Sequence, residues 1–176
     1  MEGEEIIREA NENDVSEVCV LVNSAYRGES SKKGWATEAD LLGGIRTDEK
    51  YLSDLIKREG SVILLYTSNE KILACVHLHK QDKKLHLGML AVSPGLQANG
   101  IGKKLLKASE EYAASHGLTK IDMTVISVRH ELIKWYERRG YALTGETKPF
   151  PADDPRFGIP KQHLEFVVME KTISDV

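Results

Sequence analysis

The spacing of apolar positions changes several times along this chain, and each change marks an element. Ile6-Ile7-Arg8-Glu9-Ala10 reads as a short first strand. Val15, Val18, Cys19, Val22 and Tyr26 then recur at helical spacing behind Asp14-x-x-Glu17, which has the form of a helix start. A polar stretch from Arg27 to Gly34 ends at Trp35. Ala39, Leu41, Leu42 and Ile45 predict a short helix broken by Gly43-Gly44. Thr47-Asp48 opens another, carrying Tyr51, Leu52, Leu55 and Ile56 and stopped by Gly60. Ser61 to Tyr66 is almost continuously apolar, as a strand buried on both faces would be. Beyond an Asn69-Glu70 turn, Ile72 to Lys80 alternates, with His77 and His79 on one face and Val76 and Leu78 on the other. Gln81-Asp82-Lys83-Lys84 turns the chain into a strand from Leu85 to Val92, so three consecutive strands run antiparallel.

The second half repeats the alternation of strand and helix. Ser93 to Asn99 is a polar turn, and a helix begins at Gly100 or Ile101. Its buried stripe is Ile101, Leu105, Leu106, Ala108, Tyr112 and Ala113, and Gly117 ends it. Lys120 to Ile126 is a strand parallel to Leu85–Val92, because a helix crosses over between them. A helix capped by Ser127 runs to Gly140, a strand covers Tyr141 to Glu146, Thr147 to Gln162 is a long loop, and His163 to Glu170 is the last strand. This order is that of an α+β fold with a mixed sheet, in one domain spanning residues 1–176.

Composition narrows the class. Hydrophobic residues make up 41% and charged residues 29%, as in a soluble globular protein. A formal charge of −3 supplies no basic field for nucleic acid. No stretch approaches a membrane-spanning length, and the acidic start Met1-Glu2-Gly3-Glu4-Glu5 has no character of a signal or transit peptide. Cys19 and Cys75 sit inside apolar runs, as core thiols in a reducing compartment, with no metal-ligand spacing. A cytoplasmic protein with no resident metal is the expectation.

The chemistry concentrates between Leu85 and Tyr112. A strand that empties through glycines into a helix builds an anion site, because the first helical amides lack intrahelical partners and the macrodipole is positive there. Gly100 and Gly102 let a ligand approach the backbone closely. Lys103 and Lys104 occupy the first turn, where each cation opposes the dipole by roughly 0.3–1 kcal/mol, so a bound phosphate group is the sharper reading. A P-loop is excluded because Ile101, not Lys, follows Gly100. A dinucleotide fingerprint is excluded because Leu105 occupies its third glycine position.

What remains is Gln97-x-x-Gly100-x-Gly102 behind the strand Met89-Leu90-Ala91-Val92. It resembles the acyl-CoA-binding motif Q/R-x-x-G-x-G/A of the GNAT superfamily of N-acetyltransferases. Trp135-Tyr136-Glu137-x-x-Gly140-Tyr141 resembles that family's second signature. The resemblance implies a GNAT-like, mostly antiparallel sheet of about seven strands, flanked by helices and splayed at two central parallel strands. It implies acetyl-CoA as co-substrate. The pyrophosphate would rest on Gln97, Ala98, Asn99, Gly100, Ile101, Gly102 and Lys103. The pantetheine arm would lie along Leu90-Ala91-Val92, with main-chain pairing at Leu90 and Val92 and the Leu90 amide on the thioester carbonyl. Tyr136 would be the general acid.

In many relatives a Glu on the central strand is the base; the comparable position here is His86, on the face of Leu90 if no bulge intervenes. Glu38 is a rival. Relatives often carry Asn seven residues before the catalytic Tyr, where this chain has Arg129, so the pantetheine contact at that position departs from the pattern. No Ser or Cys stands in a nucleophile arrangement, which favours direct transfer to a primary amine of a small molecule or peptide. A catalytically silent acyl-CoA-binding domain is the alternative. Trp35 and Glu38 are substrate-pocket candidates on a long loop, able to hold an ammonium by cation–π contact and charge. Asp153-Asp154 is a further acidic pair. A monomer and a homodimer are both compatible with the sequence.

Overall fold

The computed structural model describes residues 4–26, 42–43, 47–96, 99–149, 159–160 and 164–173. In chain order the elements are β1 (Glu5–Glu9), α1 (Val15–Tyr26), β2 (Leu42–Gly43), α2 (Glu49–Lys57), β3 (Ser61–Ser68), β4 (Lys71–Gln81) and β5 (Lys84–Val92). Then come α3 (Ile101–Ser115), β6 (Lys120–Ile126), α4 (His130–Glu137), β7 (Ala142–Pro149), β8 (Ile159–Pro160) and β9 (Glu165–Thr172). Seven strands form one sheet in the order β1-β3-β4-β5-β6-β9-β7. β5 and β6 are parallel and the other neighbours antiparallel, which is the mixed, mostly antiparallel α+β fold expected.

The apolar residues divide by face. Leu64, Val76, Leu78, Leu87, Leu90 and Val92 pack with Ile101, Leu105 and Leu106 of α3 and with Leu132, Ile133 and Tyr136 of α4. Ile63, Leu65, Cys75, Met89 and Ala91 pack with Val18 and Val22 of α1 and Leu52 and Leu55 of α2. The sheet is thus covered on both sides, and β3 is buried along nearly its whole length.

Three local expectations are corrected. The first helix is capped one turn earlier than Asp14: Asn11 caps a short 3-10 turn, and Asp14 is the third residue of that capping box. Glu17 is then released from capping, and its carboxylate instead accepts the Ile72 amide at 2.8 Å. Leu42-Gly43 is not helical; it pairs with Ile159-Pro160, which also puts a short strand into the segment read as loop. At α4, Ser127 is not the cap. Its amide donates to the Glu165 carbonyl at 2.9 Å, and the helix opens at His130 behind Arg129 without a side-chain cap.

The correction that matters for function lies in β5. His77 pairs with Gly88, and Cys75 pairs with Ala91, so β5 carries one residue more than β4 across that interval. Met89, at φ 54°, absorbs the extra residue as a β-bulge. Met89 and Ala91 therefore face α1 and α2, while Leu87 and Leu90 both face α3 and α4. His86 alternates with Leu87 and falls on the face opposite Leu90, contrary to the expectation that the two would share one.

Candidate active site

β5 and β6 pair only over three rungs, Lys84 with Lys120, Leu85 with Ile121 and His86 with Asp122. Beyond that last rung they diverge, and a cavity of about 280 Å³ opens between them. Gly88, Met89 and Leu90 line it from β5, and Met123 to Ile126 from β6. Because it passes through the sheet, both layers contribute walls. Arg129, Leu132 and Tyr136 come from the α4 side, and Tyr51, Leu55, Arg58, His77, His79 and His86 from the α2 side.

Tyr136 is held from several directions. Its side chain is 5% exposed. The Trp135 and Tyr141 rings meet it edge-on at 5.1 and 5.9 Å between centroids. Gly140, at φ 96°, turns the chain so that the Tyr141 amide can donate back to the Tyr136 carbonyl at 3.2 Å. Trp135 in turn carries the Arg139 guanidinium over its ring at 4.6 Å.

The same tryptophan explains Gly102. A Cβ placed there would meet the Trp135 ring at 3.3 Å, tighter than ordinary contact. The room left by Gly102 is thus taken by Trp135, which joins the two sequence signatures into one packed unit. Gly100 differs: it caps α3 in the left-handed region at φ 75°, nothing lies within 4 Å of its virtual Cβ, and no side chain caps the helix there. The first hydrogen bond of α3 runs from the Lys104 amide to the Gly100 carbonyl at 3.1 Å. The preceding amides at Ile101, Gly102 and Lys103 lie in the unpaired first turn. The approach is built from chained turns, Leu96 N–H to the Ser93 carbonyl and Asn99 N–H to the Leu96 carbonyl. Lys103 is exposed. Lys104 is turned to β1, with Nζ 3.4 Å from the Glu5 carboxylate and above the Tyr66 ring. Gln97, Ala98, Trp35 and Glu38 lie outside the described residues, as do Asp153 and Asp154.

The α2 side is chemically different. His86 Nδ1 lies 2.9 Å from Asp122 Oδ1 across the last rung of the parallel ladder. Burial pushes the Asp122 carboxyl upward, but the hydrogen bond and charge of His86, with Lys84 and Lys148 nearby, outweigh it and hold the carboxyl below its ordinary value. His79 pairs with His86 on the neighbouring strand, and burial, then Arg58 and His86, hold its imidazole below the ordinary histidine value. The His77 and His79 rings stack at 6.3 Å, and Ser61 Oγ lies 2.7 Å from His77 Nε2. Three imidazoles therefore share one face of adjacent strands.

Of the expected site residues the cavity brings together Tyr136, His86 and Leu90, not Ala91 or Val92; Tyr51 and Arg58 also line it and Asp122 bonds His86, none of which the sequence reading singled out for the site. A carboxylate second in the mostly apolar strand Ile121 to Ile126 was the available signal for Asp122. Cys75 is fully buried, and burial, followed by Glu49 and Asp48, pushes the Cys19 thiol up. Neither cysteine is joined in a disulfide, and Cys75 Sγ lies 3.7 Å from the Met89 carbonyl.

The sequence profile of the acetyltransferase (GNAT) family matches residues 33–141. No curated protein matches the chain significantly in sequence. Solved structures do match in fold. The ribosomal-protein-S18-alanine N-acetyltransferase of Escherichia coli is 16% identical with a TM-score of 0.70, covering 97% of this chain and 95% of its own. An N-acetyltransferase of Staphylococcus aureus Mu50 is 13% identical with a TM-score of 0.73, covering 96% and 97%. The yncA protein of Salmonella typhimurium, solved with its cofactor acetyl-CoA, is 17% identical with a TM-score of 0.70, covering 98% and 95%. With two signature segments packed against each other beside a split parallel pair, and the family's profile matched over more than half its length, the chain belongs to the acetyltransferase (GNAT) family.

Proposed function

We propose that this protein transfers the acetyl group of acetyl-CoA directly to a primary amine. The reading rests on one observation above others: the phenol of Tyr136 and the imidazole of His86, from opposite faces of the sheet, line a single cavity where β5 and β6 part. The substrate's pyrophosphate end would rest on the start of α3, at Asn99 to Lys103, where no side chain caps the helix, with Gln97 and Ala98 as the further residues of the motif. Its pantetheine arm would follow the edge of Leu90-Ala91-Val92, and the Leu90 amide would polarise the thioester carbonyl.

The two groups suit the two proton transfers. An alkylamine is mostly ammonium at neutral pH and must lose a proton before it attacks. His86 is a base of the right kind for that step. The leaving group is a thiolate whose conjugate acid has a pKa of ~8.5, while a phenol near ~10 stays protonated and can donate to it. Nitrogen–carbon bond formation and carbon–sulfur bond cleavage then leave an amide, CoA thiol and one proton released to solvent. A covalent acyl-cysteine is disfavoured, since neither thiol has the low-pKa setting a nucleophile needs.

Trp35 and Glu38 remain our candidates for holding the acceptor's ammonium. Thermal shift with acetyl-CoA, NAD and ATP tests the cofactor reading: at ~100 times Kd a ligand stabilises by ~2.7 kcal/mol. A rise in Tm with acetyl-CoA alone, followed by turnover in a screen of amines, is the expected result. A rise with NAD or ATP alone would sink it.

A further inference from the structure

We propose that Asp122 is a positioning residue for the acetyl transfer: its carboxylate fixes the His86 ring so that Nε2 presents a lone pair to the cavity. This rests on the reading of His86 as the base and deepens it. The geometry carries the argument. His86 and Asp122 face each other on the last paired rung of the parallel ladder, with Nδ1 and Oδ1 2.9 Å apart. Their side chains are about a third and a quarter exposed, at 31% and 24%, and His86 lines the cavity while Asp122 lies beside it across the rung.

An ionised carboxylate can only accept a hydrogen bond, so the proton of this bond belongs to His86 Nδ1. In a neutral imidazole the other nitrogen is then the acceptor. Without Asp122 the ring could carry its proton on either nitrogen and rotate; with Nε2 protonated it could not take a proton from an ammonium. Once Nε2 has taken that proton, the imidazolium lies against a carboxylate, which favours it.

Other charged and titratable groups among the described residues face the pair from each packed element. His79 faces His86 from β4, and Tyr51 and Arg58 line the cavity from α2. Arg129 and Tyr136 line it from the α4 side. Lys148 approaches Asp122 from β7. Lys84 on β5 is committed to Glu170 at 2.6 Å. Among the described residues, Asp122 is the group within bonding distance of the His86 ring.

The deciding measurement is long-range 1H–15N correlation on 15N-histidine-labelled protein at alkaline pH with saturating acetyl-CoA, the His86 signal assigned by its loss in H86Q. Wild type should show protonated Nδ1 and bare Nε2, and D122N should lose that single tautomer. In parallel, thiol release from acetyl-CoA is followed with methylamine, putrescine, lysine and a short peptide with a free N-terminus. D122N should lower kcat roughly ten- to a hundredfold with little change in KM for acetyl-CoA, and D122E should recover part of the loss. A wild-type Nε2–H tautomer overturns the proposal, as does a D122N enzyme with unchanged kcat and pH profile. The wild-type spectrum decides the tautomer even if D122N fails to fold. The expected tautomer in a wild-type protein that turns over none of these amines would support the pairing and count against the transfer reading instead.

Discussion

The two layers that cover the sheet are held by different means, and the difference suits the chemistry proposed for each. The α3/α4 layer is fastened by apolar contact and aromatic geometry: Leu105 and Leu106 are buried, Trp135 fills the space left by Gly102, and Tyr136 sits between two rings. The α1/α2 layer has its own apolar core and adds to it side chains that bond the backbone. Glu17 accepts the Ile72 amide, and Asn23 both accepts from the Thr47 amide and donates to its carbonyl, at 3.1 and 3.0 Å. Asp48 caps α2 by accepting from the Tyr51 amide at 2.7 Å. A proton donor that must stay protonated belongs in the first setting, dry and tightly packed. A proton acceptor that must exchange with water belongs in the second, polar and partly open. The splay between β5 and β6 lets the two meet.

The sharpest way to break this comparison is to remove chemistry from one side while leaving packing intact. Tyr136→Phe keeps the ring contacts and should lower kcat roughly ten- to a thousandfold, with acetyl-CoA still raising Tm. An unchanged kcat would take Tyr136 out of the acid role. On the other side, His86→Gln should lower kcat about ten- to a hundredfold, with acetyl-CoA still raising Tm. An unchanged kcat would place the base elsewhere, with Glu38 next to be tested. The packing itself can be tested at Gly102. Gly102→Val drives two methyl groups into the Trp135 ring and should destabilise by about 1–3 kcal/mol while weakening acetyl-CoA binding. Wild-type stability and affinity would mean that Trp135 yields freely and that the contact between the two signatures is incidental.

Much of this arrangement was legible in the sequence because it depends on periodicity and glycine punctuation. The helical stripe from Ile101 to Ala113, the alternation in β4 and the αL turn at Gly117 are local features that the chain writes residue by residue. What could not be read is non-local or breaks a local rule. Met89 gives no sign that it will adopt φ 54°, since a bulky apolar side chain normally avoids that region, and so the bulge that turns His86 away from Leu90 was hidden. The partnership of His86 with Asp122 depends on the register of two strands separated by the whole of α3, which no local pattern encodes. Asn11 and Asp14 are both good caps three residues apart, so the choice between two frames was made by Arg8, whose guanidinium reaches Asp14 from β1.

That ion pair supplies the smallest test, on how the polar layer is anchored. Arg8 Nη1 and Nη2 bond the two Asp14 oxygens at 2.8 and 2.9 Å, and the same carboxylate accepts the Asn11 amide at 2.8 Å. The hydrogen bond from Arg8, against the opposing effect of burial and with help from Asn11, holds the Asp14 carboxyl below its ordinary value. A carboxyl whose folded pKa is depressed stabilises the fold above its unfolded pKa of ~3.9 and loses that contribution as pH falls through the folded value. Asp14→Asn should therefore cost about 1 kcal/mol near neutral pH, roughly 2–4 °C in Tm for a chain of this length. The deficit should shrink as the pH is lowered below about 4, where wild-type Asp14 is itself becoming neutral. Urea midpoints for both proteins across that range measure it. A constant deficit would mean that shape alone, and not charge, fastens α1 to β1, and the contrast between a layer with added polar fastenings and one held by apolar contact would lose its clearest instance.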